Sequence, residues 1–183
     1  MDLTHKFLIA MPAMADPNFA GSVVYICEHT DKGALGLVIN RPTELTLESL
    51  FDRIDLKLEI APWKDAPVYY GGPVQTERGF VLHVPAGSYS SSLSVADDIA
   101  LTTSKDVLEA VAGGKGPAKL LVTLGYSGWG AGQLESEVQA NAWLTVDAQA
   151  SIIFDTPAEQ RQAAAFRLLG VDPSQLSAQA GHA

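Results

Sequence analysis

Two apolar segments joined by a turn constrain this chain more than any other feature of its sequence. The first, residues 22–28 (SVVYICE), is rich in β-branched and aromatic side chains and is apolar on both alternating faces. Such a pattern is typical of a buried strand. The second, residues 34–40 (ALGLVIN), has the same character, and the residues between them, Thr30 to Gly33, favour a chain reversal. We therefore predict a buried β-hairpin.

The hydrophobic pattern of the rest of the chain predicts further short strands and a few helices. Strands are predicted at 7–10, 68–70, 80–84, 99–102, 119–124, 143–146 and 151–154. Helices are predicted at 47–54, 106–112, 134–140 and 156–169, the last with a capping box. Because strands and helices do not alternate regularly, a doubly wound fold is disfavoured. We predict one α+β domain over residues 1–183, with a mixed, largely antiparallel sheet, a few flanking helices and a loose tail at 177–183.

Composition and charge narrow the class of protein. The 183 residues are 47% hydrophobic and 18% charged, as in an ordinary globular domain. Twelve basic residues against 21 acidic ones give a net charge of -9, which disfavours direct binding to nucleic acid. The last predicted helix carries only Arg161 and Arg167, about 120° apart around its axis, so it has no basic recognition face. A lone cysteine, Cys27, excludes an intramolecular disulfide.

The N-terminal residues have some features of a secretion signal. Lys6 precedes the apolar run 7–11, and residues 13–15 imitate a cleavage site. Asp2 and Pro12 argue against this interpretation, because the first adds a negative charge and the second shortens the apolar run. No run approaches the roughly 18 apolar residues of a spanning helix. We predict a cytoplasmic protein without a membrane segment.

Four motifs are similar to those of a known bacterial family. They are FLIAMPAMADP at 7–17, SVVYICEH at 22–29 continuing as GALGLVINRP at 33–42, GGPV at 71–74 with RGFVLH at 78–83, and GYSGWGAGQLE at 125–135. In these motifs the chain resembles the YqgE/AlgH family, from Phe7 to the C-terminus. Two positions depart from the family pattern. Ser127 stands where the family often has alanine, and Gln162 where it often has an aromatic residue.

The resemblance implies a fold and a compartment but no reaction. It implies a single α+β domain with a barrel-like sheet in a bacterial cytosolic protein. It supplies no enzyme activity, and we expect no cofactor. Some members of the family are described as transcriptional regulators of alginate or other exopolysaccharide synthesis. If that description applies here, we expect an indirect effect, through a protein partner or a small ligand.

The glycine-rich segment Gly125–Gly132 is the foremost candidate for ligand binding. It follows a predicted strand and opens a short helix, the context in which backbone N–H groups bind an anion. The candidate residues are Gly125, Tyr126, Gly128, Trp129, Gly130 and Gly132, with Trp129 able to stack on a flat ligand. The spacing matches neither GxGxxG nor a Walker loop. Alternatively, the glycines let the backbone turn tightly while Trp129 packs in the core.

Two arginines and three other side chains are further candidates. Arg41 and Arg78 flank strand ends and are suited to clamping a phosphate or carboxylate, although lone arginines at such ends are more often solvated or paired with an acid. Cys27 and His29 are two apart on a strand, so we expect them on one face, as a nucleophile and base would need. The alternative is a buried structural thiol. His83 and His29 lack metal-ligand spacing, so no metal site is predicted.

Three functional hypotheses follow. The first is a non-enzymatic regulatory or interaction module that binds a protein partner through surface aromatic residues such as Trp63, Tyr69 or Tyr89. The second is a protein or enzyme that binds a small anion or nucleotide-like ligand at Gly125–Gly132, with Arg41 and His29 converging on it. The third is a direct DNA-binding regulator, which would need a basic patch despite the net charge of -9.

Overall fold

The computed structural model describes residues 1–58 and 61–172, which form one α+β domain. Within them the strands are β1 (Lys6–Ala10), β2 (Val23–Thr30), β3 (Gly33–Val38), β4 (Pro42–Thr46), β5 (Pro67–Tyr70), β6 (Val74–Val84), β7 (Ser92–Ala96), β8 (Ile99–Thr102), β9 (Lys119–Gly130) and β10 (Trp143–Asp147). The helices are α1 (Leu47–Arg53), α2 (Ala61–Lys64), α3 (Asp106–Ala112), α4 (Gln133–Gln139), α5 (Ala150–Phe154) and α6 (Arg161–Leu168), the last preceded by a 3-10 turn at Ala158–Gln160. The tail predicted to be loose, 177–183, lies outside the described residues.

The sheet is mixed and largely antiparallel, as predicted. Its hydrogen-bonded order is β10-β1-β2-β3-β9-β6-β8-β7, with β4 and β5 attached beside β9. Every pair is antiparallel except β5 with β9, which is parallel. The sheet curls into a half-barrel, which confirms the barrel-like fold that the resemblance implied.

The long strand β9 organises this sheet. Its first part pairs with β6, its last four residues pair with β3, and Thr123 and Leu124 also pair with β5. The strand predicted at 119–124 therefore extends to Gly130. By changing partners along its length, β9 joins the two halves of the curl.

The predicted hairpin of β2 and β3 is confirmed, with one irregularity. The two strands pair antiparallel from Thr30 and Gly33 at the turn to Val24 and Val38. Between Ile26 and Glu28 the register shifts, so Cys27 has no partner on β3 and forms a β-bulge. An extra residue of this kind reverses the alternation of side chains beyond it.

Three hydrophobic clusters cover both faces of the curled sheet. The first packs alternate residues of the strands, among them Phe7 and Leu82, against α5 and α6. The second covers one half of the opposite face and contains Leu134 of α4. The third covers the other half, where α1 and α3 contribute Phe51 and Val107. The part of the hairpin away from its turn is buried on both sides, because the first two clusters lie on its opposite faces.

Helix α1 forms where the sequence predicts it, whereas the structure of residues 151–169 differs from the prediction. Thr46 caps α1, and its side-chain oxygen accepts from the Ser49 N–H. The prediction of a strand at 151–154 is wrong, because this segment forms α5. A short apolar run is compatible with both helix and strand. The predicted cap is also wrong, since the Thr156 hydroxyl donates instead to the Ser151 carbonyl, and α6 begins only at Arg161.

A crossing of two glycine segments fixes β5 against β9. The Gly71 N–H donates to the Leu124 carbonyl, and the Gly71 carbonyl accepts from the Val38 N–H, both at 2.9 Å. A Cβ atom on Gly71 would overlap the Gly125 carbonyl oxygen and the Thr123 side chain. Gly125 itself has φ of +79°, a left-handed conformation that glycine adopts without strain. The backbones can approach this closely only because both positions lack a side chain.

We expect Gly71→Ala to lower the free energy of unfolding by about 1–3 kcal/mol, because the added methyl overpacks rigid backbone. Urea unfolding midpoints measure the change. Gly79→Ala is the matched control, since a Cβ there meets nothing within 4 Å. Equal midpoints for the two variants would show that the crossing is not tight.

Candidate functional site

The segment predicted to be a glycine loop is strand, which corrects the sequence interpretation. Gly125–Gly130 belongs to β9, and Gly128 and Gly130 pair with Leu35 and Gly33 of β3. Only Ala131 and Gly132 form the turn into α4, a helix of seven residues. The Gly130 N–H is used within the fold, since it donates to Gln133 Oε1 at 3.0 Å. The glycines therefore serve strand pairing and close approach, and a role in ligand binding stays a prediction.

Trp129 lies in the core and is not placed to stack on a ligand. It is 6% exposed. Its ring stacks on Phe19 with centroids 6.1 Å apart and meets Trp143 edge-on. Both indole N–H groups donate to Glu137 Oε1, at 3.1 Å from Trp129 and 3.0 Å from Trp143. One carboxylate thus satisfies two buried donors and holds α4 on the sheet.

Arg41 does not converge with His29 on the glycine segment. Its Nη1 donates to the carbonyls of Pro17 and Asn18, and its Nη2 donates to the Ala20 carbonyl. The guanidinium carbon also lies 5.9 Å from the centroid of the Tyr70 ring. Arg41 thereby fixes the turn before β2. Its role is structural in this arrangement.

Arg78 contacts a different set of residues from Arg41. It is exposed on β6, donates to Gln75 Oε1 at 3.3 Å, and lies 5.8 Å from the centroid of the Phe80 ring. Among the described residues, no residue forms a hydrogen bond with both arginines. The structure therefore gives no sign of the predicted clamp.

The bulge at Cys27 separates it from His29, so the expectation that they share a face is wrong. Cys27 packs in the first hydrophobic cluster, and burial raises the pKa of its thiol. His29 instead faces the opposite side, where its Nδ1 accepts from the Leu3 N–H at 2.9 Å and its Nε2 donates to Glu135 Oε1 at 3.0 Å. The Cys27 thiol is buried, as the alternative interpretation expected.

His83 is buried in a chain of hydrogen bonds. Its Nδ1 lies 3.0 Å from the Pro85 carbonyl, which can only accept, so Nδ1 carries the proton. Its Nε2 then accepts from the Thr102 hydroxyl at 2.6 Å, and Thr102 accepts from Ser92 at 2.9 Å. Burial lowers the pKa of the His83 imidazole from its usual value of 6.5. His83 is therefore a neutral structural group at neutral pH.

An open groove of about 400 Å³ lies beside the glycine-bearing end of β9. It brings together three predicted residues, Tyr126, Gly128 and Trp129, with Glu28 and Lys32 of the hairpin. Glu28, Lys32 and Tyr126 make no ion pair or side-chain hydrogen bond with any residue in 1–58 or 61–172. Within the described residues, the groove is thus bordered by a carboxylate, an ammonium and a phenol that have no polar partner.

The aromatic residues predicted to be surface anchors are buried or half-buried. Tyr69 is buried, and Trp63 and Tyr89 are half-buried against the third cluster. Among the described residues, Met1 is the only exposed large hydrophobic residue. The same part of the chain contains no group of three His, Cys, Asp or Glu side chains arranged to hold a metal ion. None of its helices is both long and apolar enough to span a bilayer.

Among the described residues, Arg161 is the one buried Asp, Glu, Lys or Arg, and it is not among the site residues predicted from the sequence. It is 5% exposed and lines a cavity between β5, β9 and α5. A signal was available, because positions 161, 164, 165 and 168 form one face of a helix and the other three are apolar. An arginine on the core face of an amphipathic helix is uncommon and needs internal partners.

The Glu137 bridge predicts a loss of stability on truncation. Glu137→Ala would leave two buried indole donors without an acceptor, each costing about 1–3 kcal/mol. Urea unfolding measures the free energy, and near-ultraviolet circular dichroism reports the packing of the indoles. Ser136→Ala, an exposed change on the same helix, is the control. A Glu137→Ala protein as stable as this control would contradict the bridge.

The lowered pKa of His83 predicts a pH dependence of stability. The unfolded chain binds a proton at His83 near pH 6.5, whereas the folded chain binds it only at lower pH. Stability is therefore lost as pH falls below about 6.5. We expect urea midpoints of the wild type to drop more between roughly pH 7.5 and 5 than those of His83→Gln. Parallel pH profiles for the two proteins would contradict this assignment.

Comparison with known proteins agrees with the motifs and the fold. A family model described as AlgH-like matches residues 7–174. A UPF0301 protein of Bordetella petrii is 69% identical over 182 residues, covering 100% of this chain and 90% of the relative. Another, from Ralstonia nicotianae, is 66% identical over 183 residues, covering 100% and 96%.

Two solved structures share the fold. The solution structure of the AlgH protein from Pseudomonas aeruginosa superimposes with a TM-score of 0.82 at 54% identity, covering 100% of this chain and 97% of that one. A crystal structure of a protein from Corynebacterium diphtheriae gives a TM-score of 0.71 at 20% identity, covering 90% and 86%, and supports the fold alone. The chain belongs to the AlgH-like family, which confirms the resemblance seen in its motifs.

Proposed function

We propose that this protein is a non-enzymatic regulatory module that binds an extended segment of a protein partner in the groove beside Gly128. One observation carries the proposal. The groove is bordered by Glu28, Lys32 and Tyr126, whose polar groups have no partner within the described part of the chain. Polar groups left free around a concave surface are available to a ligand.

The side chains suited to catalysis are engaged elsewhere. Cys27 is buried, and both ring nitrogens of His29 and His83 are used within the fold. A nucleophile needs a base within hydrogen-bond reach, and the bulge at Cys27 turns His29 to the opposite face of the sheet. These contacts favour binding over catalysis.

The shape and charge of the groove favour a polar peptide. Gly33 and Gly128 contribute backbone to its lining, so an extended segment can approach closely. The carboxylate of Glu28 and the ammonium of Lys32 suit a segment with one basic and one acidic side chain. The lining combines these charges with apolar side chains such as Leu35 and Val74, and an open groove of this kind suits a transient contact.

Regulation through a protein partner also fits the overall charge. A net charge of -9 opposes direct contact with the phosphate backbone of DNA. Any influence on transcription then passes through the partner. The cytoplasm, where such a partner would act, remains the predicted compartment.

Complementation of a bacterial strain that lacks the gene tests this function, with the transcript profile as the measurement. We expect deletion to change the profile and Cys27→Ala to restore it as fully as the wild type, because the thiol takes no part in function. The double variant Glu28→Lys/Lys32→Glu is expected to fold but not to restore the profile. The control Glu109→Lys/Lys115→Glu reverses two exposed charges that do not line the groove and should restore it.

Three results would overturn the proposal. The first is a deletion that leaves the profile unchanged. The second is a folded Cys27→Ala protein that fails to restore the profile. The third is full restoration by the groove variant. Thermal unfolding of each purified variant separates a loss of function from a loss of fold.

A further inference from the structure

Arg161 is a buried cation whose charge is stabilised electrostatically by Tyr69 and Glu159. Its Nε donates to the Thr156 carbonyl at 2.9 Å, and its Nη1 donates to the Ile39 carbonyl. One face of the guanidinium lies against the Tyr69 ring, with 4.9 Å between the guanidinium carbon and the ring centroid. None of the carboxylates in residues 1–58 and 61–172 forms an ion pair with it. A charge that is buried in this way is normally balanced by an acid.

The hydrogen bonds of Arg161 leave donors unused. A guanidinium has five N–H donors, and the Thr156 and Ile39 carbonyls take two of them. A side-chain hydrogen bond with Tyr69 takes a third donor, which leaves two without a partner among the described residues, and Arg161 borders a cavity. The unused donors are the kind that bind a carboxylate through two parallel hydrogen bonds.

The cavity beside Arg161 is small, and most of its lining side chains are apolar. Its volume is about 150 Å³, and its lining includes Leu47, Trp63, Tyr69, Leu120 and Phe154. Leu47 and Leu120 are buried, whereas Trp63 and Phe154 are half-exposed, so the entrance lies on their side. An apolar cavity of about 150 Å³ accommodates a single benzene ring.

From the buried guanidinium and this cavity we infer that the protein binds a small apolar monocarboxylate, with Arg161 holding the carboxylate and the cavity holding one ring or a branched chain. The carboxylate of the ligand pairs with the guanidinium, and the apolar part of the ligand packs against the apolar side chains of the lining. A phosphate monoester fits less well, because a dianion against an apolar lining has a larger desolvation cost. This site shares no lining residue with the groove beside Gly128 and is independent of it.

Calorimetric titration of the full chain with sodium benzoate tests the inference. We expect saturable one-to-one binding, at least tenfold tighter than that of benzyl alcohol, which has the same ring but no charge. Quenching of tryptophan fluorescence should accompany binding in the wild type and be lost in Trp63→Phe, because Trp63 borders the cavity while Trp129 and Trp143 pack in another cluster.

Two variants assign the binding to this cavity. Ala66→Phe places a ring in the cavity from a half-buried position of its lining and should weaken benzoate at least tenfold. Ala140→Phe, at an exposed residue after α4, is the control and should bind benzoate as the wild type does. Arg161→Gln should remove the preference for benzoate over benzyl alcohol if it folds, and Ala66→Phe keeps the test decisive if it does not.

Several outcomes would overturn the inference. These are no saturable binding of benzoate, equal affinity for benzoate and benzyl alcohol, or undiminished binding by a folded Ala66→Phe protein. None of these three outcomes tests the groove beside Gly128, because the Glu28→Lys/Lys32→Glu protein is expected to bind benzoate normally. A failure of the partner hypothesis in the complementation assay would likewise leave the benzoate result standing.

Discussion

The rest of the structure depends on the close approach of two backbones where Gly71 and Gly72 cross β9 at Gly125. At this point β9 passes from pairing with β5 and β6 to pairing with β3. A side chain at Gly71 would push the strands apart, because its Cβ would meet the Gly125 carbonyl and Thr123. The hydrogen bonds from Gly71 to Leu124 and from Val38 to Gly71 join both halves of the curled sheet. The glycines that suggested a ligand loop are therefore needed for the architecture.

Two polar side chains of the interior have their hydrogen bonds satisfied within the fold. Glu137 serves two indole donors, and His83 connects the Pro85 carbonyl to the hydroxyl chain of Thr102. Buried polar groups in proteins are almost always paired in this way, because an unpaired one costs free energy. Arg161 is the contrast, since its buried guanidinium bonds to two carbonyls and the Tyr69 side chain but forms no ion pair with a carboxylate of the described chain. That difference marks the cavity beside it as a place for an anion.

The proposed functional surfaces lie on different parts of the sheet. The groove beside Gly128 is open and bordered by free charges, which suits a transient polar contact with a partner. The cavity at Arg161 is enclosed by apolar side chains near the junction of β5, β9 and α5, which suits a small ligand. A protein with both can receive a chemical signal at one site and contact a partner at the other.

The sequence by itself determined the fold class, the β2–β3 hairpin, helix α1 with its Thr46 cap, and the family, because these depend on local periodicity and on contiguous motifs. It could not determine that Gly125–Gly130 continues β9, since glycine is compatible with both turn and strand and the choice depends on the distant Gly71. The same limit explains why Cys27 and His29 were wrongly predicted to share a face, since the bulge at Cys27 moves the His29 side chain to the other face of the sheet. It also explains Arg161, whose burial is decided by segments more than 90 residues away along the chain, at Ile39 and Tyr69. Tertiary structure decided these points because hydrogen bonds and close packing between distant segments override local preference.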